Sequence, residues 1–365
     1  MIYLDNAATT KQDEKSFAVM KHFAIDSFFN ASSVYAIENS NMLEKAREEV
    51  KKALGGSFSS TVVFTSGATE ANNLVLNSFK DEIIVSAAEH ESVYQYFKNF
   101  SETKKIKICP MQTNGELDYE ELKKLLTPET KLVSCIHVCS ETGVVNNLKK
   151  IKDIMSEFAP KAALHSDGVQ AFLKLNVNVE DLGVDFYTVS SHKVGGPKGV
   201  GALWVENKNK LKPQILGGGQ EGGFRSGTEN LPAIMGFCEV VKTRKPNVEY
   251  VKTLKQLFVE NLTEEGIQVN FKNSFAYILS LTLKNVNGET IVNALKEKGI
   301  YVSRGSACSS KKAGNRIFEG MNYSLNDIKG LLRISFFETN TEDEVVFAAK
   351  TLNQVYKDIK QRTSR

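Results

Sequence analysis

The sequence predicts an α/β fold: a mostly parallel seven-stranded sheet flanked by helices, followed by a smaller C-terminal α+β domain. Three observations carry this. Seven short apolar runs recur between polar, helix-like segments, at 62–64, 83–85, 106–108, 132–138, 163–164, 186–189 and 200–205. Strands that are apolar throughout belong to sheets covered on both faces, and alternation with helices implies parallel pairing. Polar and glycine-rich clusters follow these runs, at the strand ends where such sheets bind ligands. From about residue 240 the pattern changes character.

The elements follow in order. Between about 41 and 54, Met42, Leu43, Ala46, Val50, Ala53 and Leu54 recur at helical spacing, and Gly55-Gly56 stops the helix. Beyond residue 240, Tyr277, Leu279, Leu281 and Leu283 alternate as on a half-buried strand. Ile291, Val292 and Leu295 mark a helix that runs to Gly299. Thr341 and Glu344 have capping-box spacing and open a helix with Val345, Ala348, Leu352 and Tyr356 inward. A chain of 365 residues suits two domains. The expected division is a large domain over 16–245 and a small one over 246–365, with 1–15 associated with the small domain.

Composition excludes several classes. A net charge of +3 from scattered lysines is no nucleic-acid signature, and the basic end (Lys357, Lys360, Arg362, Arg365) reads as a solvated helix terminus. No apolar run approaches the roughly 20 residues of a membrane span, and Met1-Ile2-Tyr3-Leu4-Asp5-Asn6 shows no signal-peptide pattern. The five cysteines are an odd number without a Cys-x-x-Cys pair, so a reduced, cytoplasmic setting is expected.

The most informative stretch is Ser190-Ser191-His192-Lys193-Val194-Gly195-Gly196-Pro197-Lys198-Gly199, which follows a strand. It sets a lysine beside two hydroxyls and an imidazole on a glycine-rich turn. An amine, small anion-binding donors and close backbone approach are what a pyridoxal 5'-phosphate site needs: the lysine forms a Schiff base with the aldehyde while its neighbours hold the phosphate. Thr65-Ser66-Gly67-Ala68-Thr69-Glu70-Ala71-Asn72-Asn73 runs from a strand into a helix, so its N–H groups and the Thr69 hydroxyl suit a phosphate; a plain capped helix is the other reading. Asp167 and Gln170 end another strand and suit a pyridine nitrogen and a phenolate oxygen; a helix N-cap aspartate with a surface glutamine is the other reading. His90 follows the strand near 82–85 and suits ring stacking and proton transfer; a loop histidine without a role is the alternative.

Two loops complete the set. The stretch 217–228 offers Arg225 and Thr228 to an anion, or is a plain flexible connection; it lacks the Gly-x-Gly-x-x-Gly pattern of a dinucleotide fold. In Ser303-Arg304-Gly305-Ser306-Ala307-Cys308-Ser309-Ser310-Lys311-Lys312, small residues expose Cys308, and Arg304, Lys311 and Lys312 are candidates to lower its pKa; an inert loop thiol is the alternative. Cys135, His137 and Cys139 alternate along one buried strand edge, and no metal site is expected there.

These motifs, in this order across almost the whole chain, resemble the cysteine desulfurases of the class V aminotransferase group, among the fold-type I pyridoxal phosphate enzymes. The matching segments are 3–10, 65–73, Glu89-His90, 165–170, 190–201, 225–232, 305–309 and 332–335. The Ser-Ala-Cys-Ser loop is similar to the long-loop subgroup, whose cysteine swings out to an acceptor. The resemblance implies Lys193 as the cofactor-bearing amine. It implies Ala68, Thr69, Ser190, His192 and, from a second subunit, Thr228 as phosphate ligands. Asp167 and Gln170 would address the ring, His90 would stack on it, and Arg333 and Asn30 would hold the substrate carboxylate. Two segments differ from the family pattern. Cys139-Ser140-Glu141 stands where Asn-Asn-Glu is usual, so Ser140 faces the substrate with a shorter arm. Asn30-Ala31-Ser32-Ser33-Val34-Tyr35 lacks the usual proline and histidine.

The implied reaction takes sulfur from L-cysteine onto Cys308 as a persulfide, releases L-alanine, and passes sulfur to an acceptor protein in iron–sulfur cluster assembly or tRNA thiolation. A homodimer is implied by the role of Thr228. Two competitors keep the fold: a selenocysteine lyase or aminotransferase, which needs no loop thiol, and a catalytically weakened sulfur-carrier scaffold marked by Ser140 and Tyr35.

Overall fold

The computed structural model describes residues 1–305 and 315–363. Cys308, Lys311 and Lys312 lie outside the described residues. Twelve strands occur among those described: β1 (Ile2–Tyr3), β2 (Thr61–Thr65), β3 (Ile83–Ser86), β4 (Ile106–Cys109), β5 (Leu132–Ser134), β6 (Ala163–Asp167), β7 (Phe186–Ser190), β8 (Gly201–Val205), β9 (Ile267–Val269), β10 (Ile278–Leu283), β11 (Ile300–Tyr301) and β12 (Leu331–Ser335).

Seven of them form one sheet in the order β2-β8-β7-β6-β5-β3-β4. All neighbours pair in parallel except β8, which runs antiparallel to both β2 and β7. All seven apolar runs of the sequence are strands of this sheet. Every residue of β3, β5, β6, β7 and β8 is buried, because helices cover both faces. Trp204 is buried at the sheet and donates its indole N–H to Ser60 Oγ at 3.0 Å, which removes the one polar group of a large core side chain.

Two expectations change. The run 132–138 forms a regular ladder only as far as Ser134. The physical reason is a buried carboxyl group: Glu89 Oε1 accepts the Ile136 N–H at 2.6 Å. Cys135 and His137 still donate to the carbonyls of His165 and Asp167. The run at 277–283 is not half-buried, since all six residues of β10 are buried. β10 is the middle of a three-stranded antiparallel sheet, β12-β10-β9. Its polar side chains are satisfied by Asn270, which donates to Ser280 Oγ and accepts from the Thr282 hydroxyl.

The N-terminal strand β1 pairs in parallel with β11, far along the chain. The Thr341–Glu344 capping box is present: each backbone N–H donates to the other side chain at 3.2 Å, and a helix runs Glu342–Thr363. The helix expected from 41 starts earlier, at Ile37, and ends at Ala53 before Gly55, whose φ is 69°.

Candidate active site

The C-terminal ends of β2, β3, β5, β6 and β7 open into a cavity of about 480 Å³. It is lined by the chain beyond each strand: Ser66 to Glu70 after β2, His90 after β3, Ile136 and Ser140 after β5, Asp167 and Gln170 around the end of β6, and Ser190, His192 and Lys193 at the end of β7. Ala7, Ala8 and Thr9 close one side, and Arg333 reaches in from β12.

Each polar group is held by a specific partner. Lys193 Nζ donates to the carbonyls of Ala7 and Ala8, at 2.7 and 2.5 Å. The Asp167 carboxylate accepts from Asn72 Nδ2 at 2.9 Å and from the Val169 N–H at 3.0 Å. Asn72 also donates to Ser92 Oγ, which meets His90 Nδ1 at 2.9 Å. One buried asparagine therefore ties Asp167 to His90. Gln170 donates to the Ala7 carbonyl at 2.9 Å and accepts from Lys174 Nζ at 3.2 Å.

Lys174 is fully buried, and burial first, then the charges of Arg244 and Lys193, pull its pKa down to about 7. Burial likewise holds His90 below the usual imidazole range, helped by Lys193 and opposed by Asp167. His192 falls to about 4 by burial and by the charge of Lys193. Its Nδ1 meets Thr9 Oγ1 at 3.1 Å. Neutral imidazoles at both positions can accept or donate beside an anion without adding a fixed charge.

The wall after β2 is an open anion cradle. A helix, Ala68–Ser78, begins there with Gly67 as its N-cap and no side-chain cap. Its first N–H groups point into the cavity end, as at phosphate-binding helix termini. Gly67 has φ 156°, and a Cβ built there meets nothing within 4 Å, so the space in front of the turn is clear. Behind it the fit is tight: a Cβ on Gly201 would come within 2.8 Å of Gly67 Cα. Only glycine lets β8 and this turn approach so closely.

Arg333 is buried and bidentate in reach: Nη1 donates to the Ser140 carbonyl at 2.9 Å and Nη2 to Asp5 Oδ1 at 2.7 Å. Its Nε, buried without a hydrogen-bond partner, is a spare donor in the wall. An amine, a buried carboxylate, a cradle of N–H groups and an imidazole around one cavity match a phosphorylated pyridine aldehyde, and the donor set fits that group.

Of the residues singled out in the sequence, the structure brings Ala68, Thr69, His90, Ser140, Asp167, Gln170, Ser190, His192, Lys193 and Arg333 to one cavity. It does not bring Asn30, which is exposed and turns its Oδ1 onto the Ser32 N–H at 2.9 Å. Thr228 lines a neighbouring cleft of about 170 Å³ that shares Ser66 and Gly199 with the cavity. Arg225 lines that cleft beside Thr228, and its Nε pairs with Glu70 at 2.9 Å. The loop around it is anchored rather than loose, with buried Glu221 bound by Arg47 at 2.6 Å. Arg304 faces Glu289 at 3.7 Å.

Sequence reading missed the supports: Asn72, Lys174, Thr9 and the carbonyls of Ala7 and Ala8. Asn72 had a visible signal, one helical turn beyond Ala68 on the same face. A carbonyl carries none. Cys135, His137 and Cys139 are buried; His137 Nδ1 meets Tyr187 OH at 2.7 Å, and burial lowers its pKa to about 4. Among the described residues no group of three or more His, Cys, Asp or Glu is placed to hold a metal ion.

Comparison with known proteins gives the same direction. The aminotransferase class-V family matches residues 2–346. The protein named cysteine desulfurase IscS 1 of Archaeoglobus fulgidus is 33% identical over 371 residues, covering 94% of each chain. The structure of a NifS-like protein from Rickettsia africae superposes with a TM-score of 0.89 at 31% identity, covering 98% of this chain and 99% of that one. A structure of SspA in complex with cysteine gives 0.82 at 27% identity, covering 93% of this chain and 100% of that one. This chain belongs to the class-V aminotransferase family and, within it, to the cysteine desulfurases.

Proposed function

We propose that the protein is a pyridoxal 5'-phosphate-dependent cysteine desulfurase that converts L-cysteine to L-alanine and retains the sulfur on Cys308. The observation that carries this is the meeting of Lys193, Asp167, His90 and the uncapped turn at Gly67 around one cavity. When bound, the coenzyme supplies an electron sink for charge developing at the substrate Cα.

The chain supplies the rest. Lys193 would hold the coenzyme through its amine and is the base available to the Cα proton of the substrate. Asp167 would keep a proton on the pyridine nitrogen, and Asn72 orients that carboxylate. His90 would stack on the ring, and Gln170 would donate to the phenolate oxygen. The N–H groups of Ala68 and Thr69, with Ser190 and His192, would bind the phosphate. Arg333 takes the substrate carboxylate, the spare Nε being a donor available to it. Ser140, short of the usual asparagine, reaches the substrate through water. Cys308, as thiolate, attacks the substrate sulfur; the carbon–sulfur bond breaks, its electrons stay on the carbon fragment, and protonation there leaves alanine and a persulfide. The placement of Cys308 rests on the sequence alone.

The partners we propose are L-cysteine, a sulfur-acceptor protein and a second copy of the chain. Support for the dimer is an exposed segment in which Phe28, Val34, Tyr35 and Ile37 are 66%, 92%, 79% and 68% exposed. Thr228, which does not line the cavity of its own chain, is then available to the partner's. The expected division into 1–15, 16–245 and 246–365 is supported by the pairing of β1 with β11. No helix among the described residues is long and apolar enough to cross a membrane. The described cysteines are free and buried, which supports a reduced, cytoplasmic setting.

The test is direct. The coenzyme-loaded protein is reduced with borohydride, digested and mapped by mass spectrometry. The reading requires the pyridoxyl mass on Lys193; its appearance on Lys174 or Lys198 instead would overturn it.

A further inference from the structure

Arg316 has no part in the chemistry above, yet all three of its guanidinium nitrogens converge on the turn that carries His90. Nη1 donates to the Ala87 carbonyl at 2.5 Å, Nη2 donates to the Glu89 carbonyl, and Nε pairs with Glu91 Oε1 at 3.1 Å. The face of the guanidinium covers the Tyr94 ring, with Cζ 3.8 Å from its centroid. Residues 87, 89, 91 and 94 surround position 90 in sequence, and one side chain from the C-terminal part of the chain grips all four.

We propose that Arg316 is a positioning residue for His90, fixing the height and tilt of the imidazole at the cavity wall. The inference rests on the reading of His90 as the group stacked on the coenzyme ring. The chain between β3 and the helix Glu91–Lys104 is a turn, and its carbonyls have no ladder to join. A planar fork with directional donors fixes two carbonyls and a carboxylate at once, which an ammonium cannot do. Among the described residues the His90 ring itself bonds only to Ser92, one residue into the helix it caps. That bond orients the ring on its own helix but does not set where the helix starts. Asn72, through Ser92, anchors the turn from inside the sheet domain. Arg316 anchors it from the other side.

Electrostatics agree with the geometry. Burial raises the Glu91 pKa, but the hydrogen bond from Gln95 and the charge of Arg316 outweigh it, so Glu91 titrates below its ordinary value. A charged pair is therefore kept at the mouth of the turn at neutral pH. Partial burial of both members, with side chains 21% and 23% exposed, makes the pair stronger than a fully solvated one.

The experiment uses coenzyme-loaded wild type, Arg316→Met, Arg316→Lys, Glu91→Gln and His90→Ala. The readouts are visible circular dichroism of the bound coenzyme, kcat and KM for L-cysteine, and thermal midpoint. Arg316→Met is expected to lower the coenzyme dichroism toward that of His90→Ala and to reduce kcat about tenfold with KM within about twofold, the signature of a slightly misplaced group. Arg316→Lys and Glu91→Gln are expected to give smaller changes in the same readouts, and they decide the matter if Arg316→Met does not fold. Wild-type dichroism and kcat with a lowered thermal midpoint in the Arg316 variants would reduce Arg316 to a structural contact and overturn the proposal. Wild-type dichroism in His90→Ala would instead overturn the stacking role itself, a separate failure.

Discussion

The cavity wall and the strip at 28–37 are built in opposite ways. In the wall, nearly every polar group has a partner in the same chain: Lys193 on Ala7 and Ala8, Asp167 on Asn72, Gln170 on Lys174, Arg333 on Asp5. In the strip, Phe28, Val34, Tyr35 and Ile37 face outward, and Asn30 bonds only its own turn. The first region takes its lining and most of its hydrogen-bond partners from one chain. The second exposes several large apolar side chains, and it contains the one substrate-binding candidate that the fold leaves outside the cavity. Preorganisation comes from the single chain; the dimer we propose would cover the second region.

That contrast can be broken or sharpened, beginning with the largest effect. Lys193→Ala removes the wall amine that donates to Ala7 and Ala8, and alanine formation from L-cysteine is expected to fall by about 10⁴-fold, as for loss of a general base or more. Activity within tenfold of wild type would show that the wall is not the reaction site. Next, Phe28→Asp with Val34→Asp is expected to turn a dimer into monomers in sedimentation and to lower activity more than tenfold while the fold, read by circular dichroism, survives. Monomeric wild-type protein would make the strip a plain exposed surface. Asn72→Ala leaves Asp167 buried with one hydrogen bond fewer; a loss of about 1–3 kcal/mol of stability is expected together with weaker coenzyme retention, measured by dialysis and absorbance.

Smaller effects concern pH. Glu89, pushed up to about 8 mainly by burial, stays protonated in the folded chain over a window where the unfolded carboxyl, near 4.5, has lost its proton. Stability from this group therefore falls as pH rises from about 4.5 to 8. Buried His137, His165 and His192, lowered to about 4, 3 and 4, act the other way: the unfolded imidazoles bind protons below 6.5 that the folded ones refuse, so stability rises as pH climbs to 6.5. These windows overlap from about 4.5 to 6.5, and buried Lys174, lowered to about 7, adds a rise above that pH. The Glu89 contribution is therefore read by difference: the wild-type thermal midpoint minus that of Glu89→Gln should fall as pH rises from about 4.5 to 8. A difference that stays constant over that range would contradict it. The smallest change is a control far from both regions: Thr341→Ala, which removes a cap worth about 1 kcal/mol, should leave turnover untouched.

Much of the wall was legible because strand ends advertise themselves. Runs such as 186–189 are apolar on both faces, so the polar residues that follow them stand out, and Asp167, Ser190, His192 and Lys193 were found in this way. The rest was hidden for identifiable reasons. The ladder of β5 stops at Ser134 because Glu89, a residue 45 positions earlier than Ser134 in the numbering, takes the Ile136 N–H; no local pattern encodes such a pairing. The alternation at 277–283 implied one wet face, but Ser280 and Thr282 are small enough to be buried on hydrogen bonds to Asn270. The pairing of Arg225 with Glu70 was hidden because the two are 155 residues apart. Arg316 carried no motif at all, since its targets are mostly backbone carbonyls.

The central claim is that sulfur leaves the substrate for Cys308 while the cavity holds the rest of the molecule. The loaded enzyme is incubated with L-cysteine carrying a heavy sulfur isotope, alkylated without reductant and digested. A single heavy sulfur atom added to the peptide containing Cys308, with one alanine released per enzyme site in the first turnover, is the predicted result. Alanine released at that stoichiometry with an unmodified Cys308 peptide would contradict the account.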